Sequence, residues 1–396
     1  MDSLHLRQGL ADWLRRRAAV RSAPVEAAFR RVPRHLFLPQ VALADAYRDD
    51  VVVTRRDATG LPSSSSSQPS IMAIMLEQLA PQRGHRVLEV GTGTGYNAAL
   101  IRELVGPEGR VVTVEIQADV AQEASLHLAA AGYPDVTVVA ADGGVGYSPE
   151  APYDRIIVTA SCADIPPAWR QQLVPGGRLV VPLRVRTQCL SVAFSREGDV
   201  LRSQSVQSCG FMYLRGAYAG DDPVVDLGEG LFLSGPAARK VPPDLLEALL
   251  SAPPRRVGGL IVPVNTFGLG GGLGVYLALQ EPGMVDIFTA APERWGFHSV
   301  SGLLDISARS LCLIRPDGVV VYGSDAAAGR LRSRVLEWVA RGRPPLDHLH
   351  LEVWPADDRP PEAVTEGRTP EGRGPNGRER WVLRYRWSDV VCWFDD

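Results

Sequence analysis

Apolar positions change their period along the chain. Leu6, Leu10, Trp13 and Leu14 recur at helical spacing, which predicts an amphipathic helix at the start. Arg15, Arg16 and Arg17 follow as its solvated end. A second short helix is expected over 25–31, stopping before Pro33, because the residue ahead of a proline avoids the α region. From residue 70 the rhythm is different. A helical run at 71–79 precedes short apolar runs at 86–90, 111–115, 136–140, 155–159 and 178–183, with helical patterns between them at 97–105, 117–131 and 166–173. Strand and helix alternating at this cadence predict an α/β fold, a doubly wound and mostly parallel sheet with helices on both faces. Ligands of such sheets bind at the carboxyl ends of the strands.

The second half lacks that rhythm. Gly268-Leu269-Gly270-Gly271-Gly272-Leu273-Gly274 reads as a flexible lid or turn. The runs 311–315 and 319–323 flank Pro316-Asp317-Gly318 as a β-hairpin, residues 327–340 read as a helix, and 381–387 alternates like a closing strand. Residues 355–380, rich in charge, proline and glycine, read as a mobile loop. The expected segments are an N-terminal helical part with a serine loop (1–70), a sheet domain (71–216), and a C-terminal α+β domain (217–396) whose fold the pattern does not specify.

Composition narrows the chemistry. The 396 residues carry 42 basic and 45 acidic side chains, a formal charge of −3, without the basic excess expected of a nucleic-acid binder. Lys240 is the one lysine, so lysine chemistry is absent from nearly all of the chain. Cys162, Cys189, Cys209, Cys312 and Cys392 form no CxxC pair, which argues against a disulfide scaffold or zinc site and for a reducing, cytoplasmic setting. No apolar run is long enough for a membrane span. His348 and His350 would share one strand face, but no third ligand is near, and no metal is expected. Cys209 reads as a core residue.

The strongest chemical signal is Val87-Leu88-Glu89-Val90-Gly91-Thr92-Gly93-Thr94-Gly95-Tyr96. A buried strand runs into a glycine turn and then a helix, so the backbone can approach a ligand closely. The spacing is GxGxG, unlike the GxGxxG of dinucleotide binders. Glu115, with Ile116 beside it, ends the next strand, where a carboxylate can accept both ribose hydroxyls of a nucleoside. After the third strand comes Asp142-Gly143, where the Asp is placed to meet an adenine amino group. No lysine follows the glycines, which disfavours a triphosphate. Together these elements point to S-adenosylmethionine (SAM), with S-adenosylhomocysteine as product, and to a class I methyltransferase fold.

Beyond these elements, the first half resembles the protein-L-isoaspartate O-methyltransferases. The resemblance is carried by Arg31-Val32-Pro33-Arg34-His35-Leu36-Phe37-Leu38-Pro39, Ala46-Tyr47-Arg48-Asp49, Ser65-Ser66-Ser67-Gln68-Pro69, the glycine loop with Glu115, Asp142-Gly143, 153–160 and 173–177. It implies methyl transfer to a peptide carboxylate. Family position implies that Ser67 donates a hydroxyl to the substrate carboxylate, that Ser65 contacts SAM or peptide, and that Ser66, Gln68, Thr159, Ala160 and Ser161 lie on the substrate side. For 159–161 a simple turn into Pro166-Pro167 is an equal alternative, and Ser63 and Ser64 read as a flexible turn. Where the family usually has Thr-Ile-Ser-Gln-Pro, this chain has serines from 63 to 67, and it runs far past the family's single domain. Those departures, with Cys209-Gly210-Phe211-Met212 and Leu214-Arg215-Gly216, resemble a branch that methylates an aspartate of ribosomally made, modified precursor peptides of the lanthipeptide or graspetide kind. The ester there can close to an aspartimide. The alternatives are a general isoaspartyl repair enzyme and a non-catalytic binding module. The intact glycine loop, Glu115 and Ser67 speak against the module.

Overall fold

The computed structural model describes residues 2–58, 60–220, 224–265, 268–356, 367–373 and 379–395. Helix α1 (Ser3–Arg16) is capped by Asp2, whose carboxylate accepts the His5 N–H at 2.7 Å. It packs with α2 (Ala23–Arg31), and Leu10, Leu14, Val25 and Phe29 bury one face against the sheet domain. After the short α3 (Leu43–Ala46), β1 (Val52–Arg56) pairs antiparallel with β2 (Pro62–Ser66). This corrects the expectation of a flexible turn at Ser63 and Ser64. Ser66 and Ser65 stand opposite Val52 and Val53, and Ser64 opposite Arg55 after a shift in register, and small side chains let the strand lie close to the glycine loop.

The main sheet follows the expected cadence. Helix α4 (Pro69–Leu79) leads to β3 (Arg86–Val90), α5 (Tyr96–Val105), β4 (Arg110–Glu115), α6 (Ala118–Ala130), β5 (Thr137–Ala140), β6 (Tyr153–Val158), α7 (Pro167–Gln171) and β7 (Leu173–Val185). Strands β5, β4, β3, β6 and β7 are parallel neighbours in that order. The chain reverses its direction of travel at β3, which opens a crevice at the carboxyl ends. Strands β8 (Gln188–Glu197) and β9 (Val200–Ser208) then continue antiparallel.

The sheet does not stop at residue 216. Leu349–Pro355 pairs with β9 through Val353↔Leu201 and Glu352↔Arg202. Ser388–Phe394, Glu379–Arg384 and 367–373 extend it to eleven strands. The buried Asp164 carboxylate fastens this return, accepting from Trp387 N–H (2.8 Å) and Ser388 Oγ–H (2.6 Å). Leu201, Leu349, Val353, Trp381 and Val390 share one core with Leu88 and Trp169.

Between the two passes lies a seven-stranded antiparallel sheet: Val224–Asp226, Leu231–Ser234, Met284–Thr289, Ser299–Asp305, Ser310–Arg315, Gly318–Gly323 and Arg255–Arg256, in spatial order. The expected hairpin is here, with Arg315 opposite Gly318. The expected helix spans Ala326–Ala340. The glycine-rich stretch differs from its expectation as a lid or turn, because Gly271–Gln280 is a buried helix. Gly272 lies against the Pro344 carbonyl and Gly274 against that of Leu269, where a Cβ would overlap. Glycine serves there for close packing. His348 ends a short 3-10 turn, so the two histidines do not share a strand; His350 bonds Asp395 at 2.6 Å and stacks on Trp393. Cys209 is buried, with its Sγ 3.5 Å from Cys189. Most of the loop expected over 355–380 lies outside the described residues. Among the described residues no helix is long and apolar enough to cross a membrane.

Candidate active site

The glycine loop is shaped by what lies beneath it. Gly91 has φ +97°, and a Cβ there would overlap the Thr159 hydroxyl, which donates to Gly91 O at 2.6 Å. Under the loop, Glu89 is fully buried in β3. Its carboxylate accepts from Asn97 Nδ2 (2.7 Å) and Thr113 Oγ1 (2.6 Å). The Thr113 proton being committed to Glu89, the Thr92 hydroxyl donates to Thr113 at 2.8 Å. One carboxylate therefore ties strand, loop and helix together. Burial pushes Glu89 up to about 7, against the two hydrogen bonds that favour its charged form. Sequence reasoning passed over Glu89, though an acid within the apolar run Val87-Leu88-Glu89-Val90 was a visible signal.

Glu115, at the end of β4, turns its carboxylate back to the loop. Gly93 N–H donates to Oε2 at 3.1 Å and Gln117 N–H to Oε1 at 3.2 Å. Each oxygen retains a lone pair for a further donor. Ile116, partly exposed, and Gly143 line the neighbouring wall.

The serine strand lies across the loop, its Ser65 carbonyl 3.0 Å from where a Gly93 Cβ would stand. Ser67 is placed by Arg34, a fully buried guanidinium that donates to Ser67 O (3.1 Å) and Ala46 O (2.9 Å) and sits over the Tyr96 ring. Burial pulls its pKa below the ordinary arginine value. Gln68 donates to the Asp49 carboxylate at 2.9 Å, while Ser70 N–H donates to the same group. The early segments around Arg34 and Asp49 thus hold the serine strand from behind. The Ser66 hydroxyl is fully buried and has no hydrogen-bond partner among the described residues.

These parts enclose one cavity of about 680 Å³. Ser65, Ser66, Ser67, Gln68, Gly91, Thr92, Gly93, Glu115, Ile116, Gly143, Thr159 and Ala160 all line it. Gly95, Asp142 and Ser161 do not. Gly95 faces α6, its Cβ position 3.1 Å from Leu128 and 3.3 Å from Ala124 O, so it serves helix packing. Asp142 accepts the N–H groups of Gly144 (2.9 Å) and Ala217 (2.7 Å). Ser161 is fully buried and exchanges backbone bonds with Met212 and Leu214, each 2.7 Å. Asp142 and Ser161 therefore hold the strap 209–218, which roofs the cavity with Phe211, Met212 and Leu214. Arg215 ties the strap to Ser63 O at 2.6 Å. The segments Cys209-Gly210-Phe211-Met212 and Leu214-Arg215-Gly216 stood out as a motif, but their roofing position was not legible, since it depends on bonds to the distant Asp142 and Ser161.

Carboxylate, glycine loop and orphaned hydroxyl suit a nucleoside-bearing methyl donor beside a polar acceptor, and comparison with known proteins agrees. Residues 5–218 match the family described as Protein-L-isoaspartate(D-aspartate) O-methyltransferase (PCMT). The chain is 41% identical over 221 residues to protein-L-isoaspartate O-methyltransferase 2 of Archaeoglobus fulgidus, spanning 55% of this chain and 96% of that one. It is 41% identical over 219 residues to the protein-L-isoaspartate O-methyltransferase of Methanopyrus kandleri, covering 55% and 94%. A solved protein-L-isoaspartate O-methyltransferase overlays 87% of this chain and 96% of its own at TM-score 0.52 and 23% identity, a likeness of fold that runs past the family-matched region. The chain belongs to the protein-L-isoaspartate O-methyltransferase family, SAM-dependent enzymes that methylate carboxylates.

Proposed function

We propose that this chain methylates the free α-carboxylate of an isoaspartyl residue in a peptide or protein. The observation that carries the reading is the serine strand laid over the glycine loop, with the Arg34-held Ser67 in one cavity with Glu115. SAM, when bound, supplies an electrophilic methyl group. The acceptor carboxylate is already ionised at neutral pH, so the site needs no general base, and among the cavity's residues no Ser/His/Asp set is present. Its residues position and exclude. Glu115 would accept the donor's ribose hydroxyls, Ser67 would donate to the acceptor carboxylate, and the 209–218 strap keeps water out.

The test is methyl transfer from SAM to a short isoaspartyl peptide, read by mass spectrometry as the gain of one CH₂. Ser67→Ala is expected to lower kcat on the order of 10²-fold, as for loss of a single positioned donor, with the affinity for S-adenosylhomocysteine unchanged. An unchanged kcat would remove Ser67 from the mechanism.

A second reading, methylation of an aspartate in a ribosomally made, modified precursor peptide, is favoured by Val224 and Phe288. Both lie beyond the family match and line the cavity. In that reading the following backbone amide nitrogen attacks the ester carbonyl and methanol leaves, giving an aspartimide. A ring-constrained aspartyl peptide should then lose one water overall, while a linear isoaspartyl peptide should be a poor substrate.

A further inference from the structure

The family match ends at residue 218, but the cavity continues. Its mouth is completed by Val224 and Phe288, from two strands of the seven-stranded sheet. Phe288 stands opposite Phe232 in antiparallel register, and their rings stack at 5.5 Å and 13°. Phe232 is buried, so it braces one face of the half-buried Phe288 as a stiff aromatic wall. The β1–β2 side of the same mouth presents Val51 and Val53, 57% and 37% exposed. Apolar side chains lining one open cavity mark a surface that is covered in use.

We propose that Phe288 and Val224, with Val53, form a subsite for an apolar side chain on a residue flanking the methylated carboxylate of a peptide substrate. The inference rests on the carboxylate-methylation reading above. Continuity argues for this occupant. The slot belongs to the cavity that contains Ser66 and Ser67, so a chain whose carboxylate lies at the serines leaves through this mouth. An apolar neighbour gains by burial there, whereas a polar one loses solvent without a compensating partner. The second unit thereby takes part in choosing the substrate while the chemistry stays in the first.

The test uses the full chain and pairs of isoaspartyl hexapeptides that differ only in Leu or Ser beside the isoaspartate, placed on either side in turn. Wild type is expected to favour Leu on one side by about tenfold or more in kcat/KM, mainly through KM. Phe288→Ala should bring that ratio near one, lowering kcat/KM for the Leu peptide far more than for the Ser peptide. Phe288→Leu should keep most of the preference, and S-adenosylhomocysteine affinity measured on each variant checks that the site is folded. No preference in wild type, or the same preference in wild type and Phe288→Ala, overturns the subsite. A wild type that binds S-adenosylhomocysteine but methylates neither these peptides nor their aspartyl counterparts overturns the carboxylate reading, and the subsite with it.

Discussion

At the scale of residues, the site divides into groups that line the cavity and groups that hold them in place. Ser67 and Glu115 line the cavity, while Arg34, Asp49, Thr159 and Glu89 fix the surrounding backbone. Glu89 carries a measurable signature. Its folded pKa, pushed up to about 7, lies above its ordinary 4.5, so the neutral acid is the form the fold prefers. That contribution is fully present below pH about 4.5 and is lost as pH rises through about 7. Glu89→Gln keeps the shape but does not titrate. Wild type should therefore lose stability relative to Glu89→Gln across that window, by on the order of 3 kcal/mol, as read by urea denaturation at a series of pH values. Parallel stability curves for the two proteins would show that Glu89 stays charged in the fold.

At the scale of elements, legibility followed how local each cause was. The run 86–90 and the helix at 71–79 were readable because period and burial coincide there, and β3 (Arg86–Val90) has the expected bounds. The serine strand was not, since serine has weak strand preference and its partner Val52–Arg56 supplies the specification across a turn. Twelve site residues read from the glycine loop and the family pattern converge on one cavity; Asp142 and Ser161 bond the strap, whose path no local pattern encodes. The helix Gly271–Gln280 was hidden for a related reason, because its glycines answer to Pro344 and Leu269, contacts set by tertiary packing. Two helical glycines should therefore respond oppositely to alanine. Gly329 has open space at its Cβ position, so Gly329→Ala should stabilise by about 0.5–1 kcal/mol. Gly272→Ala drives a methyl into the Pro344 carbonyl and should cost about 1–3 kcal/mol. Chemical denaturation of the two variants reads both signs, and a stabilising Gly272→Ala would contradict the packing described.

At the scale of the whole molecule, the chain leaves the methyltransferase sheet after β9, builds a second sheet, and returns to add strands to the first. The edge of β9 is paired and Asp164 is satisfied by residues near the C-terminus. Cutting after residue 218, where the family match ends, would bare that edge, take Trp381 and Val390 from the shared core, and leave the Asp164 carboxylate without the Trp387 and Ser388 donors. The 1–218 fragment should unfold several degrees below the full chain and associate in light scattering; equal stability would mean the return strands are ornamental. The account's central claim concerns the acceptor, and methyl transfer tests it most directly. Purified full-length protein is incubated with SAM and a linear isoaspartyl peptide, an otherwise identical aspartyl peptide being carried alongside. Mass spectrometry is predicted to show one CH₂ gained on the isoaspartyl peptide and none on its aspartyl counterpart, with the gain strongly reduced in Ser67→Ala. Absence of any gain on the isoaspartyl peptide, from protein that binds S-adenosylhomocysteine, would contradict the account.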